Sequence, residues 1–156
     1  MKSCFWIIVL VAAVPAAAAP PVTWPSLPQP TNIRVRDGDT LVADFPGIPA
    51  VFGKSLGIRL LGIDTPELRD PNPVVKAYAL QARDYLVVRV RTAKRIEIRS
   101  PARDKFFRMN GAMFLDGVDI QQELLSRGYA KPYKGGTKIP WTEADVIQMQ
   151  KLNAGK

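Results

Sequence analysis

Three strand-like segments, one long helical segment, two more strands and two terminal helices predict an α+β, mainly β fold. Five short strands interrupted by a helix suit a five-stranded barrel of the OB type with about three helices. A different α+β sheet fits the same coarse pattern, so periodicity alone leaves the topology open. The 156 residues suffice for one domain with a modest core.

The first strand begins at the alternation of Ile33 and Val35, and Asp37-Gly38 reads as a hairpin turn into a second strand, Thr40 to Phe45. Pro46 to Gly57 carries Pro46, Gly47, Pro49, Gly53 and Gly57 and reads as a long loop. Ile58 to Ile63 is a compact apolar strand with one charge, Arg59. Asn72-Pro73 supplies an N-cap and a proline at the first helical position. Val75, Tyr78, Ala82, Tyr85 and Leu86 then recur at helical spacing, and the helix is expected to end near Val90. Arg95 to Arg99 alternates again, and Met109 to Leu115 is a fifth strand ended by Asp116-Gly117. Asp119 with Gln122 resembles a capping box for a helix burying Ile120, Leu124 and Leu125, with Gly128 as its stop. Thr142 with Asp145 caps a last helix, expected to fray after Leu152.

Before the domain, residues 1–19 read as a signal peptide: Lys2, an apolar run from Phe5 to Val14, and small residues Ala16 to Ala19. The run is short of the roughly 20 apolar residues a membrane span needs. Residues 20–31 form a proline-rich linker, and residues 32–156 the folded domain. The expected location is therefore exported, periplasmic or secreted, with no membrane attachment after cleavage; an uncleaved anchor is the alternative.

The chain holds 22 Lys+Arg against 14 Asp+Glu, a formal charge of +8. Such an excess suits a polyanionic partner, although a merely soluble basic surface fits equally. There is no histidine, and the single cysteine, Cys4, lies in the leader. His-dependent triads, His-metal nucleases and the usual zinc sites are excluded, and a processed chain has no disulfide or Cys-held metal. Any metal must be held by oxygen, which favours Ca²⁺, Mg²⁺ or Mn²⁺.

Two segments concentrate charge at strand ends. Asp37-Gly38-Asp39-Thr40 is by itself an ordinary turn. In Arg59-Leu60-Leu61-Gly62-Ile63-Asp64-Thr65-Pro66-Glu67, an arginine interrupts an apolar strand and acids crowd its end. An Arg59–Glu67 surface ion pair is the plain alternative, but it does not explain why acids gather at both turns. These two segments, followed by Asp104-Lys105-Phe106-Phe107-Arg108 and by Leu125 to Lys131, resemble the staphylococcal-nuclease (thermonuclease) family over residues 31–135.

The resemblance implies an OB-fold barrel with packed helices and Ca²⁺-dependent hydrolysis of phosphodiesters in DNA and RNA. It implies one Ca²⁺ ion held by the Asp39 and Asp64 carboxylates and the Thr65 carbonyl. It gives Glu67 the attacking water, and Arg59 and Arg108 the scissile phosphate. Lys105 and Tyr133 are weaker substrate-binding candidates. No stable protein partner is implied and a monomer is expected. Chemistry agrees with these roles: a hard cation neutralises an anionic diester, and two guanidinium forks hold its oxygens as charge builds. The chain departs from the family pattern at Phe106-Phe107, where Tyr-Gly is common; simple packing is the expectation for both rings. The alternative function is a non-catalytic OB-fold nucleic-acid-binding module; a third is an envelope-anchored structural protein.

Overall fold

The computed structural model describes residues 27–154, so the segment expected as a signal peptide and most of the expected linker lie outside the described residues. A hairpin comes first, β1 (Thr31–Asp37) and β2 (Thr40–Asp44), joined through the two-residue turn Gly38-Asp39. A single helical turn, α1 (Ala50–Gly53), precedes β3 (Leu56–Leu60) and the short β4 (Ile63–Asp64). The long helix α2 (Pro73–Thr92) leads to a second hairpin, β5 (Ile96–Arg103) and β6 (Met109–Leu115). Short β7 (Val118–Asp119), α3 (Ile120–Ser126), short β8 (Lys131–Pro132) and α4 (Glu143–Ala154) complete the chain.

The main sheet runs β1-β2-β3-β6-β5, with β7 on β6, and β4 pairs separately with β8. All pairings are antiparallel except β3 with β6, which lie parallel with Arg59 opposite Asn110. The sheet curls into an open half-barrel of the OB type. Its inner face alternates: Leu56, Ile58 and Leu60 of β3, Ile96 and Ile98 of β5, and Met113 and Leu115 of β6 are buried. Leu86 of α2 and Ile120 and Leu124 of α3 complete that core. A second small core gathers Val75 and Tyr78 of α2 with Trp141 and Val146.

Local chemistry sets the helix ends. Asn72 accepts from the N–H groups of Val74 and Val75, and Asp119 from those of Gln121 and Gln122. Thr142 and Asp145 form the reciprocal box expected of them, and the helix continues to Ala154. Gly128 ends α3 at φ +73°, with Met149 of α4 packed where a Cβ would stand.

Some boundaries differ from the sequence reading. The segment expected as one loop, Pro46–Gly57, contains α1 and the start of β3. Phe45 donates its N–H to Gly53 across α1, closing the segment on itself. Strand β5 runs on to Arg103 because an irregularity between Arg99 and Ala102 absorbs Ser100-Pro101. Leu27 packs against the main core, and Gln29 bonds the Lys94 carbonyl, so the chain is already docked before β1.

Candidate active site

The two acidic turns meet at one end of the half-barrel. Gly38 permits this approach, because a Cβ there would stand 3.0 Å from the Thr65 side chain. Asp39, Asp64 and Thr65 are all buried, unusual for two carboxylates unless they are paired. One Asp39 oxygen accepts from the Thr65 N–H at 3.1 Å and the other from the Thr40 hydroxyl at 2.9 Å. This ties the β1–β2 turn to the segment after β4.

Arg59 lies between the acids. It pairs closely with Asp39, reaches Asp64 at 3.5 Å, and donates to the Ile63 carbonyl at 3.2 Å. Burial pushes the Arg59 guanidinium down from its ordinary value, Asp64 pulls it up, and nearby Arg108 pushes it down again. The surface pair Arg59–Glu67 does not form. Glu67 is more than half exposed and meets Lys138 at 2.5 Å instead.

Arg108 follows the tip of the β5–β6 hairpin. Asp104 shapes that tip, accepting from the N–H groups of Phe106 (2.8 Å) and Arg108 (2.9 Å) and from Arg108 Nε (2.7 Å). Burial opposes its charge, but these donors hold Asp104 below the usual carboxylate range. Arg59, Arg108, Lys105, Phe106, Asn110 and Tyr133 line one open cleft of about 450 Å³. Tyr133 is held at its rim by its N–H on the Gly62 carbonyl and its hydroxyl on Gly136. A larger cavity of about 600 Å³, between Leu27–Gln29 and β5, contains none of these residues.

Two residues outside the motifs complete the site. Trp141 donates its indole N–H to Asp64 Oδ2 at 3.1 Å. Lys138 Nζ lies 2.7 Å from Asp64 Oδ1, an ion contact without hydrogen-bond geometry, since that buried oxygen has no hydrogen-bond partner. Burial alone would push the Lys138 ammonium down, but the Asp64 and Glu67 carboxylates hold it above its usual value. No spacing rule reaches these residues; they lie in the Gly- and Pro-bounded stretch after Tyr133, and only the fold brings them to Asp64.

The donor set suits a hard cation. Buried Asp64 Oδ1 faces a positive charge without a directed hydrogen bond, and every candidate donor is oxygen. Among the described residues no three His, Cys, Asp or Glu side chains group as a metal cluster.

Phe106 and Phe107 do not pack as expected. They are 66% and 53% exposed on the hairpin tip, and Phe107 sits at φ +62°, the left-handed region where a glycine is at ease.

A curled OB-type sheet with one open cleft lined by Arg59 and Arg108, and with buried Asp39 and Asp64 paired to Arg59, defines a small, basic α+β protein. The chain belongs to the staphylococcal nuclease homologue family, whose match covers residues 57–155. It is 31% identical over 100 residues to a thermonuclease of Staphylococcus hyicus, covering 64% of this chain and 56% of that protein. It is 32% identical over 100 residues to endonuclease YncB of Bacillus subtilis (63% and 44%) and to the SPbeta prophage-derived endonuclease YokF of the same species (63% and 32%). The chain thus spans about half the length of the thermonuclease and of YncB, and a third of YokF. The family match begins after Asp39, so β1, β2 and their turn lie outside it.

Proposed function

We propose that this chain is an exported nuclease that hydrolyses phosphodiester bonds of DNA and RNA with one Ca²⁺ ion. The observation that carries this reading is Arg59, which lines the cleft with Arg108 and pairs with the buried Asp39 and Asp64, Asp39 in turn accepting from the Thr65 N–H. The Asp39 and Asp64 carboxylates and the Thr65 carbonyl would hold the ion. When bound, the ion supplies charge neutralisation for the phosphate and its developing oxyanion.

The remaining chemistry belongs to the chain. Arg59 and Arg108 present guanidinium donors to the phosphate oxygens and bind more strongly as negative charge grows there. Glu67, exposed beside Asp64, takes the proton of the attacking water or fixes its orientation. Asp104 aims Arg108 despite the bulky Phe107 beside it. Lys105 and Tyr133, on the same cleft, add phosphate attraction and a ring on which a base can stack.

Plasmid and RNA digestion with Ca²⁺, with Mg²⁺ and with chelator tests this reading. Cleavage that needs Ca²⁺ and falls by about 10²–10³ in Arg59→Ala is the expected result. Wild-type rates in that variant overturn the assignment. No cleavage by the folded wild type, with single strands still bound, favours the non-catalytic binding module instead.

A further inference from the structure

Beyond the cleft wall, the structure carries a second surface that the hydrolytic residues do not use. Phe107 and Phe52 bring their ring centroids to 6.5 Å, joining the β5–β6 hairpin tip to α1. The Arg103 guanidinium lies 3.7 Å over the Phe107 ring. Half of each ring stays open to solvent, and neighbouring Val51 is 73% exposed. Arg108 and Lys105 flank Phe106, 5.2 and 5.1 Å from its ring centre, so aromatic and cationic groups continue from the cleft onto this face. The acid of the tip, Asp104, is already neutralised by Arg108.

Folding alone does not ask for this arrangement. A bulky side chain at φ +62° is disfavoured, and a glycine would turn the hairpin with less strain. The ring contributes little to the core, because it is exposed. Planar apolar groups interleaved with cations match a polyanion that also carries flat bases, which is the chemistry of a single-stranded nucleic acid.

We propose that Phe107, Phe52 and Arg103 form a base-stacking platform that holds single-stranded nucleic acid beyond the phosphate being cut. This rests on the nuclease reading above and adds a subsite to it. The platform confers a preference for strands with unstacked bases over fully paired duplex, whose bases cannot reach the rings.

The test is binding in chelator, so that no strand is cut. Fluorescence anisotropy would follow a labelled oligothymidylate of about 12 nucleotides, within the ~4–16 that such folds occupy. An abasic strand of equal length serves as the control. Phe107→Gly and Phe52→Ala should each weaken oligothymidylate binding about fivefold or more and leave the abasic strand unaffected. Phe107→Gly should do so while its urea midpoint holds or rises, separating a binding role from a structural one. Unchanged oligothymidylate binding in both variants overturns the proposal. Equal losses on both strands also overturn it, because the effect then comes from a displaced phosphate contact. So does loss of binding to phosphatidylglycerol vesicles with oligothymidylate binding intact, which would make the patch a membrane contact. Wild-type cleavage in the digestion assay remains a separate outcome, so the platform can fail while the nuclease reading stands.

Discussion

Replacing Lys138 by Met removes the ammonium from the Asp64–Glu67 pair while keeping most of the stem. In the present structure that ammonium lies 2.7 Å from Asp64 and 2.5 Å from Glu67, where the proposed calcium site would draw its charge. A divalent ion and an ammonium on the same carboxylate repel each other, so binding the ion requires Lys138 to leave or to share. Lys138 and Glu67 are both partly exposed, and water-like screening is the appropriate lower bound. At 2.7 Å that bound is ~1.5 kcal/mol, about a tenfold change in an equilibrium constant. Lys138→Met is therefore expected to bind Ca²⁺ about tenfold more tightly. Calorimetric titration reads this directly, and Tb³⁺ luminescence sensitised by Trp141, bonded to Asp64, reads it independently. Added salt should narrow the gap between variant and wild type. An unchanged or weaker Ca²⁺ affinity in the variant refutes the competition and makes Lys138 a support that keeps the two acids in place.

Other consequences concern stability. The Tyr85 hydroxyl donates to Glu123, which also takes two bonds from Arg89, and burial together with Glu123 pushes the phenol from 10.0 up to about 12. The folded protein thus keeps the proton more tightly, so this contribution is full below pH 10 and is lost as pH rises through about 12. Urea midpoints against pH should show a steeper alkaline decline in the wild type than in Tyr85→Phe, the remainder coming from groups such as Lys138 whose proton is also held more tightly in the fold. Gly128→Ala places a Cβ 3.0 Å from the Met149 carbonyl oxygen at φ +73° and should cost about 1–2 kcal/mol, read as a lower urea midpoint at an unchanged slope.

Elements governed by neighbours in sequence were legible. Strand β6 alternates between core and exterior, and its ends at Met109 and Leu115 follow from that pattern and from the Asp116-Gly117 turn. The caps at Asn72, Asp119 and Thr142 need only three or four consecutive residues. The approach of Asp39 to Asp64 and Thr65 was legible through the resemblance and not through periodicity, because no spacing rule joins two separate turns. Trp141 and Lys138 escaped notice since their partners lie 77 and 71 residues away. The helical turn α1 escaped because its prolines and glycines outvote four residues of weak pattern. Hydrophobicity misled at Phe106-Phe107: both rings were expected simply to pack, yet the hairpin tip leaves each more than half exposed.

The parallel pairing of β3 with β6 sets Arg59 beside Asn110, two residues from Arg108, although the whole of α2 and β5 separates them in the chain. Such a contact forms only after a long loop has closed, which makes it one of the slower events in folding. In the finished fold the two arginines are neighbours through this long-range pairing and not through any local one. A nascent or extended chain carries every residue of the cleft and none of its geometry. The chemistry of the cleft is thus tied to completion of the fold, because no part of the unfinished chain holds the two arginines together.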